Sequence, residues 1–246
     1  TMSQPSRRGD GGLSLLWGVT PNLSLAATLN PDFSQVEADA AQLSVNRTFA
    51  LFYPEKRPFF LEGADNFSTP MPVVYTRSLA DPQWGLKLTG KEGRSTLGVL
   101  AVRDEITNLL LPGVQESSQT TLERPSHAAV FRYRYDLGQS SVLGAILSNR
   151  QAPGYHNRVL GVDGMLRFSD ADSLQFQLLQ SQTRYPALAD IEPSLQEKEL
   201  EDSAWELAAS HSSRNWEGWA FLRNVGEGFR ADLGFLPQVG MRGGEV

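Results

Sequence analysis

Hydrophobic and polar residues alternate one by one along most of the chain, the pattern of a strand with one apolar face. Leu23, Leu25, Ala27 and Leu29 oppose Ser24, Ala26, Thr28 and Asn30. Phe131, Tyr133, Tyr135 and Leu137 oppose Arg132, Arg134 and Asp136, and Leu160, Val162, Gly164, Leu166 and Phe168 oppose Gly161, Asp163 and Arg167. Leu174, Phe176 and Leu178 face away from Gln175 and Gln177, and Phe229, Ala231, Leu233 and Phe235 alternate with Arg230, Asp232 and Gly234. No comparable stretch has helical spacing. The pattern predicts strands over 12–19, 23–30, 83–91, 95–103, 127–137, 141–149, 158–168, 173–183, 203–212, 215–225 and 228–236. Most are about 9–11 residues long, the reach of a tilted strand across a bilayer, whereas soluble sheets favour about 5–6.

The connections have a parity of their own. Thr20-Pro21-Asn22, Glu92-Gly93-Arg94, Gly138-Gln139-Ser140, Ser169 to Asp172 and Ser213-Arg214 read as tight turns. Between them lie long connections at 31–82, 104–126, 150–157 and 184–202. Short turns on one rim and long loops on the other are the asymmetry of an outer-membrane barrel. The parity fails at Val225-Gly226-Glu227, a second short link in succession. The fold expected is all-β, an antiparallel transmembrane β-barrel with a long plug- or lid-like segment. A soluble β-sandwich also alternates, but strand length, loop parity and repeated charges on the minor face favour the barrel. Trp17, Trp84, Trp205, Trp216 and Trp219 lie in strands, placed for interfacial girdles.

Composition narrows the class. The chain has 246 residues, no cysteine, and a formal net charge of −6, so a nucleic-acid partner is not expected. Disulfides and thiolate metal sites are excluded. Mean hydropathy is −0.30, and no apolar run approaches the roughly 20 residues of a spanning helix. A barrel alternates lipid-facing and lumenal residues, so such an average suits it as well as it suits a soluble protein. No signal-peptide pattern is present, and both ends are polar and abrupt. The expectation is part of a longer polypeptide whose export signal lies elsewhere.

The segment 31–82 is the unusual one. A connection this long tends to be functional or disordered, and Phe52-Tyr53-Pro54-Glu55-Lys56-Arg57-Pro58-Phe59-Phe60-Leu61-Glu62-Gly63 is too aromatic for disorder. It reads as a plug or lid, with Val73-Val74-Tyr75 as a possible short strand within it. The candidate binding residues are Glu55, Lys56, Arg57 and Glu62 of the plug, expected to pair with lumenal Arg132, Arg134 and Asp163. Pro54 and Pro58 argue against another wall strand.

Asn30 to Asp39, followed by Phe52 to Gly63, resembles the signature of an uncharacterised bacterial family of barrel domains. These occur in carbohydrate-binding family 9 domain-containing proteins, behind a sugar-binding-type sandwich. The resemblance continues through Gly85 to Gly90, Asn157 to Asp163 and Phe229 to Phe235. It implies the outer membrane of a Gram-negative bacterium, with lipid or lipopolysaccharide as surroundings and an oligo- or polysaccharide as a possible partner. It brings no established activity, and the sugar-binding domain is absent from these 246 residues.

Motifs for catalysis are sparse. His127, His156 and His211 lack metal spacing, no nucleophile elbow or phosphate loop appears, and neither a metal nor a cofactor is expected. Glu55 and Glu62 could imitate a glycosidase pair, though Lys56 and Arg57 make an ion network simpler. The run Glu197 to Asp202 reads as a solvated loop without an EF-hand pattern. The function expected is therefore a pore, transport or surface-display barrel. Kept beside it are a glycan-acting hydrolase using the long segment's carboxylates and a soluble all-β carbohydrate-binding protein.

Overall fold

The computed structural model describes residues 12–31, 50–138, 140–187, 191 and 195–246. Eleven strands form one antiparallel sheet: β1 (Leu13–Thr20), β2 (Leu23–Leu29), β3 (Pro82–Glu92), β4 (Ser95–Asp104), β7 (Ser126–Gly138), β8 (Ser141–Ala152), β9 (Tyr155–Arg167), β10 (Asp172–Arg184), β11 (Glu199–Ser212), β12 (Glu217–Val225) and β13 (Met241–Glu245). A separate hairpin, β5 (Thr107–Pro112) with β6 (Ser117–Leu122), grows out of the expected long connection 104–126. Every wall strand pairs with its sequence neighbour apart from β4 with β7, across that hairpin. β1 and β13 are the two edges, and no ladder joins them among the described residues, so the sheet is an open antiparallel wall.

The rows of the outward face follow from the register. Trp17, Leu25, Leu88, Val99, Phe131, Leu147 and Leu160 are successive partners across seven strands. The next row toward the tight turns runs Leu97, Tyr133, Ala145, Val162, Leu178 and Trp205. Beyond it lie Tyr135, Leu143, Gly164, Phe176, Leu207 and Leu222. These side chains stay largely uncovered: Leu160 is 60% exposed, Leu178 49% and Phe131 45%. A contiguous apolar face of this extent marks a membrane or partner surface.

The inward face is covered by the chain itself. Residues 50–81 and 226–240 lie over it, so Phe59, Phe60, Phe67, Met71, Val73, Phe229, Leu233 and Leu236 join Leu100, Val102, Val130, Ile146 and Leu179 in one buried core. Phe67 fits because Gly98 presents no side chain; a Cβ there would lie 3.0 Å from its ring. Gly85 makes the same room for Phe59.

Four expectations need correction. Residues 228–236 are not a strand. Both alternating sets are buried there, Phe229 and Leu233 with Arg230 and Asp232, because the segment is an inner layer with contacts on both sides. With that segment removed from the wall, 226–240 becomes a long connection on the expected rim, and the parity that broke at Val225-Gly226-Glu227 is restored. The connection 150–157 shrinks to the turn Pro153-Gly154, where Gly154 has φ +75°, because β8 and β9 each continue further than their apolar alternation. Val73-Val74-Tyr75 is not a strand but borrows sheet-like bonds from the other inner segment: Tyr75 N–H donates to Leu233 O at 2.6 Å and Phe235 N–H to Pro72 O at 2.8 Å. The acidic run is largely strand, since Glu199 to Asp202 begin β11.

Candidate functional site

The interior between the wall and the two inner segments holds the chain's concentrated polar chemistry. Strand alternation aims Lys87, Asp104, Arg132, Arg150, Asn157, Asp163, Gln177, Ser181, Thr183 and Glu206 inward, where all are buried. A buried polar group without a partner is costly, so their partners dictate how the inner segments sit.

The first inner segment hangs on β3, β4, β8 and β10. Lys87 Nζ donates to the carbonyls of Phe59 and Glu62, closing the single helical turn Pro58–Leu61 against the wall. Asp104 accepts from the backbone N–H of Ala80 at 3.2 Å and Asp81 at 2.7 Å. Arg150 meets that carboxylate at 3.1 Å, both side chains being 0% exposed, and also donates to Asn108 O at 2.8 Å and Ser78 O at 3.3 Å. Gln177 Oε1 accepts from Met71 N–H at 2.6 Å.

The second inner segment is fixed by a carboxylate between two phenols. Tyr155 and Tyr185, stacked with centroids 6.0 Å apart, donate to Asp232 at 2.7 and 2.9 Å. Asn157 accepts from Asp232 N–H at 3.1 Å and donates to Arg230 O at 3.0 Å and Thr183 Oγ1 at 2.7 Å. Ser181 accepts from Arg230 N–H at 3.0 Å. Burial pushes the Asp232 carboxyl up from its ordinary range, against the lowering effect of the two tyrosine hydroxyls and of the Arg230 and Arg150 charges.

The residues singled out in the sequence separate into two groups. Glu55 and Arg57 form a tight unit, with Arg57 Nε and Nη2 donating to Glu55 at 2.9 and 2.8 Å. Arg57 is buried and also donates to Leu79 O at 2.5 Å and Thr76 O at 2.7 Å. Burial would raise the Glu55 carboxyl, but bonds from Arg57 and Thr76 and the Arg57 charge outweigh it and hold it at about 2. Lys56 and Glu62 are exposed. On the wall, Arg132 pairs bidentately with Asp163 at 2.5 and 2.7 Å, while Arg134 is half-buried nearer the tight turns.

The expected pairing of Arg132 and Asp163 with the plug's charges is therefore corrected. Arg132 crosses the bare Cα of Gly144, where a Cβ would lie 2.5 Å from its Nη1, and reaches Asp163 two strands away. A sequence cannot show that shortcut, because the three residues are neighbours only after the strands pair. Of the plug's apolar side chains, Phe59 and Phe60 are buried, whereas Phe52 and Leu61 are exposed at 59% and 48%. Phe52 instead caps a trio with Tyr75 and Phe235, centroids 5.1–5.5 Å apart. The anchors missed in the sequence are Lys87, Asp104, Arg150, Tyr155, Asn157, Gln177, Tyr185 and Asp232. The legible signal was a run of bulky polar residues on the minor face; nothing marked Asp232, which lay in an apparent strand.

Elsewhere the chemistry is thin. His156 contacts Glu199 at 2.8 Å, and His211 contacts Asp172 at 2.7 Å while stacking on Trp216. Among the described residues no cluster of three His, Cys, Asp or Glu is placed for a metal ion. No helix among them is long and apolar enough to cross a membrane, which says nothing about strands.

Comparison with known proteins gives one finding. Residues 2–83, 82 of 246, match the model of a family described as a domain of unknown function (DUF5916). The match takes in β1, β2 and the first inner segment, stopping as β3 begins. No curated protein matches the chain, and no solved structure does. What family comparison shows is thus that the first third of this chain is similar to a domain of unknown function.

Proposed function

We propose that the chain is wall and plug of an outer-membrane β-barrel in a Gram-negative bacterium, anchoring and displaying a module at the cell surface. The observation that carries this reading is the continuous apolar row from Trp17 to Leu160, outward on seven strands with nothing packed over it among the described residues. The band also drifts. On β3 it centres on Leu86 and Leu88, while the register partners of Leu86 lead to Arg158 and Glu201, and on β11 it centres on Trp205 and Leu207. A band level with a membrane climbs through the register in this way when strands are tilted, as in barrels.

The filled interior favours display over an open pore. Two inner segments, held by buried ionic and phenolic anchors, pack over the inward face among the described residues. The sequence resemblance adds a carbohydrate-binding domain as the displayed partner and an oligo- or polysaccharide as its target. A glycan-acting hydrolase is a poorer fit, since Glu55 is committed to Arg57 and held ionised, unlike a general acid, whose pKa must be raised. A soluble sandwich would need a second sheet against the first, and irregular segments occupy that place.

The test is fractionation of the full-length protein. Recovery with the outer membrane, and dependence on detergent for a monodisperse state, is the expected result. A monodisperse, detergent-free monomer from the soluble fraction would overturn the reading.

A further inference from the structure

We propose that a basic hollow on the outward face, at the rim of the long connections, binds the phosphate headgroup of an anionic lipid whose acyl chains lie on the apolar rows. The proposal rests on the membrane-wall reading and names that wall's partner. Arg103 on β4, His127 on β7, Gln151 on β8, His156 on β9 and Arg184 on β10 are successive register partners, so they stand side by side on five adjacent strands. Arg158 lies two residues along β9 on the same face. Together with the turn Pro153-Gly154 they line an open hollow of about 670 Å³ that contains no carboxylate among its lining residues.

The cations line the hollow itself, and the carboxylates stand at its border. Glu105 sits 3.9 Å from Arg103 Nε, and Glu199 is engaged by His156 at 2.8 Å. Arg158 reaches the side-chain oxygens of Asn149 and Gln182 at 3.4 Å, long contacts that a phosphate would replace. Arg184 is exposed beside them. Three guanidiniums and two imidazoles thus line the hollow, with Glu105, Glu199 and Glu201, which is held by Gln182 at 3.1 Å, at its border. Guanidinium is the group best shaped for a phosphate, through two parallel N–H donors.

Position selects the lipid. Along β9 the outward residues are Leu160, Arg158 and His156, so the first cation stands about 7 Å from the apolar row and the second about 13 Å. An acyl chain against Phe131, Leu147 and Leu160 ends beneath Arg158, and its headgroup meets the hollow. A basic pocket beside a hydrocarbon surface suits an anionic headgroup. A free phosphate would gain the charge but not the apolar contact.

The experiment uses the full chain in uncharged maltoside micelles and reads the anisotropy of a fluorescent phosphatidic acid. Unlabelled phosphatidic acid should displace it at a concentration about tenfold below that needed with the matching diacylglycerol, and millimolar inorganic phosphate should not displace it. Arg158→Gln with Arg184→Gln should weaken binding about tenfold, while Lys91→Gln at the opposite rim should not. Equal competition by diacylglycerol, measured on the unsubstituted chain, overturns the proposal regardless of how the variants fold. So does unchanged binding by a folded double variant, and displacement by inorganic phosphate would reassign the hollow to a soluble anion. These outcomes are distinct from failure of the membrane reading, which shows as a chain monodisperse without detergent.

Discussion

Arg132, Gly144 and Asp163 show how much can depend on one missing side chain. The guanidinium lies flat across β8 because residue 144 is glycine, and the bidentate pair that results is almost fully buried. Gly144→Leu should force Arg132 aside and break the pair. Removing one partner of a buried ion pair costs about 3–5 kcal/mol, so denaturant midpoints in detergent should fall steeply. Asp163→Asn keeps an acceptor for Arg132 and should cost less. If Gly144→Leu denatures like the parent, the crossing is not a structural element. Glu55 gives a second test, through pH. Its carboxyl lies at about 2 in the folded chain against an ordinary 4.5, so it binds protons less readily folded than unfolded. Its contribution is therefore present above pH 4.5 and lost as pH falls toward 2. The stability gap between parent and Glu55→Gln should narrow over that window. A gap that stays constant would show that Glu55 is not held by Arg57.

At the scale of elements, the alternation placed ten of the wall strands to within a few residues and identified the outward faces of β2, β7, β9 and β10, because period two is imposed by the pleat itself. It failed at 228–236 for a physical reason. Alternation is diagnostic only when one set of side chains meets a different environment from the other, and in an inner layer Phe229 and Asp232 are equally buried. The plug was legible from its aromatics and length, but its charge partners were not. They depend on register, on Gly144, and on carbonyls such as Leu79 O and Thr76 O that no sequence pattern advertises. The anchoring of the second inner segment can be separated from that of the first. Tyr185→Phe removes one phenol from Asp232 and leaves its carboxylate short of a donor, which should cost about 1–3 kcal/mol. Asp232 is already raised by burial, so its ionisation weakens the fold as pH rises. Loss of a tyrosine donor should steepen that decline. Protease sensitivity in the 226–240 segment, followed with pH, is the measurement, and equal sensitivity in parent and variant would remove Asp232 from the list of anchors.

For the whole molecule, the deciding question is what covers the outward face, and one residue poses it sharply. Leu160 is the most exposed of the long apolar row from Leu25 onward, at 60%, and its neighbours Leu147 and Phe131 are uncovered too. In water, Leu160→Arg would be a mild change, since a strand surface tolerates a long cation whose stem lies on apolar neighbours. Facing lipid, a cation costs about 2–4 kcal/mol at mid-depth and about 0–1 kcal/mol at the interfaces, so Leu160→Arg, one row below Arg158, carries a cost between the two. The inward layer makes the complementary case. Deleting 50–65 removes Glu55, Arg57, Phe59 and Phe60 and the carbonyl partners of Lys87, while leaving every wall ladder intact. A plugged wall so treated should insert into planar bilayers and conduct where the parent is silent, whereas a soluble protein should lose its core and aggregate. The two changes together divide the possibilities. Impaired liposome assembly of Leu160→Arg with new conductance in the deletion is expected. Normal folding of Leu160→Arg in detergent-free buffer, with a deletion that never enters a bilayer, would mean that the apolar rows meet another protein surface rather than lipid.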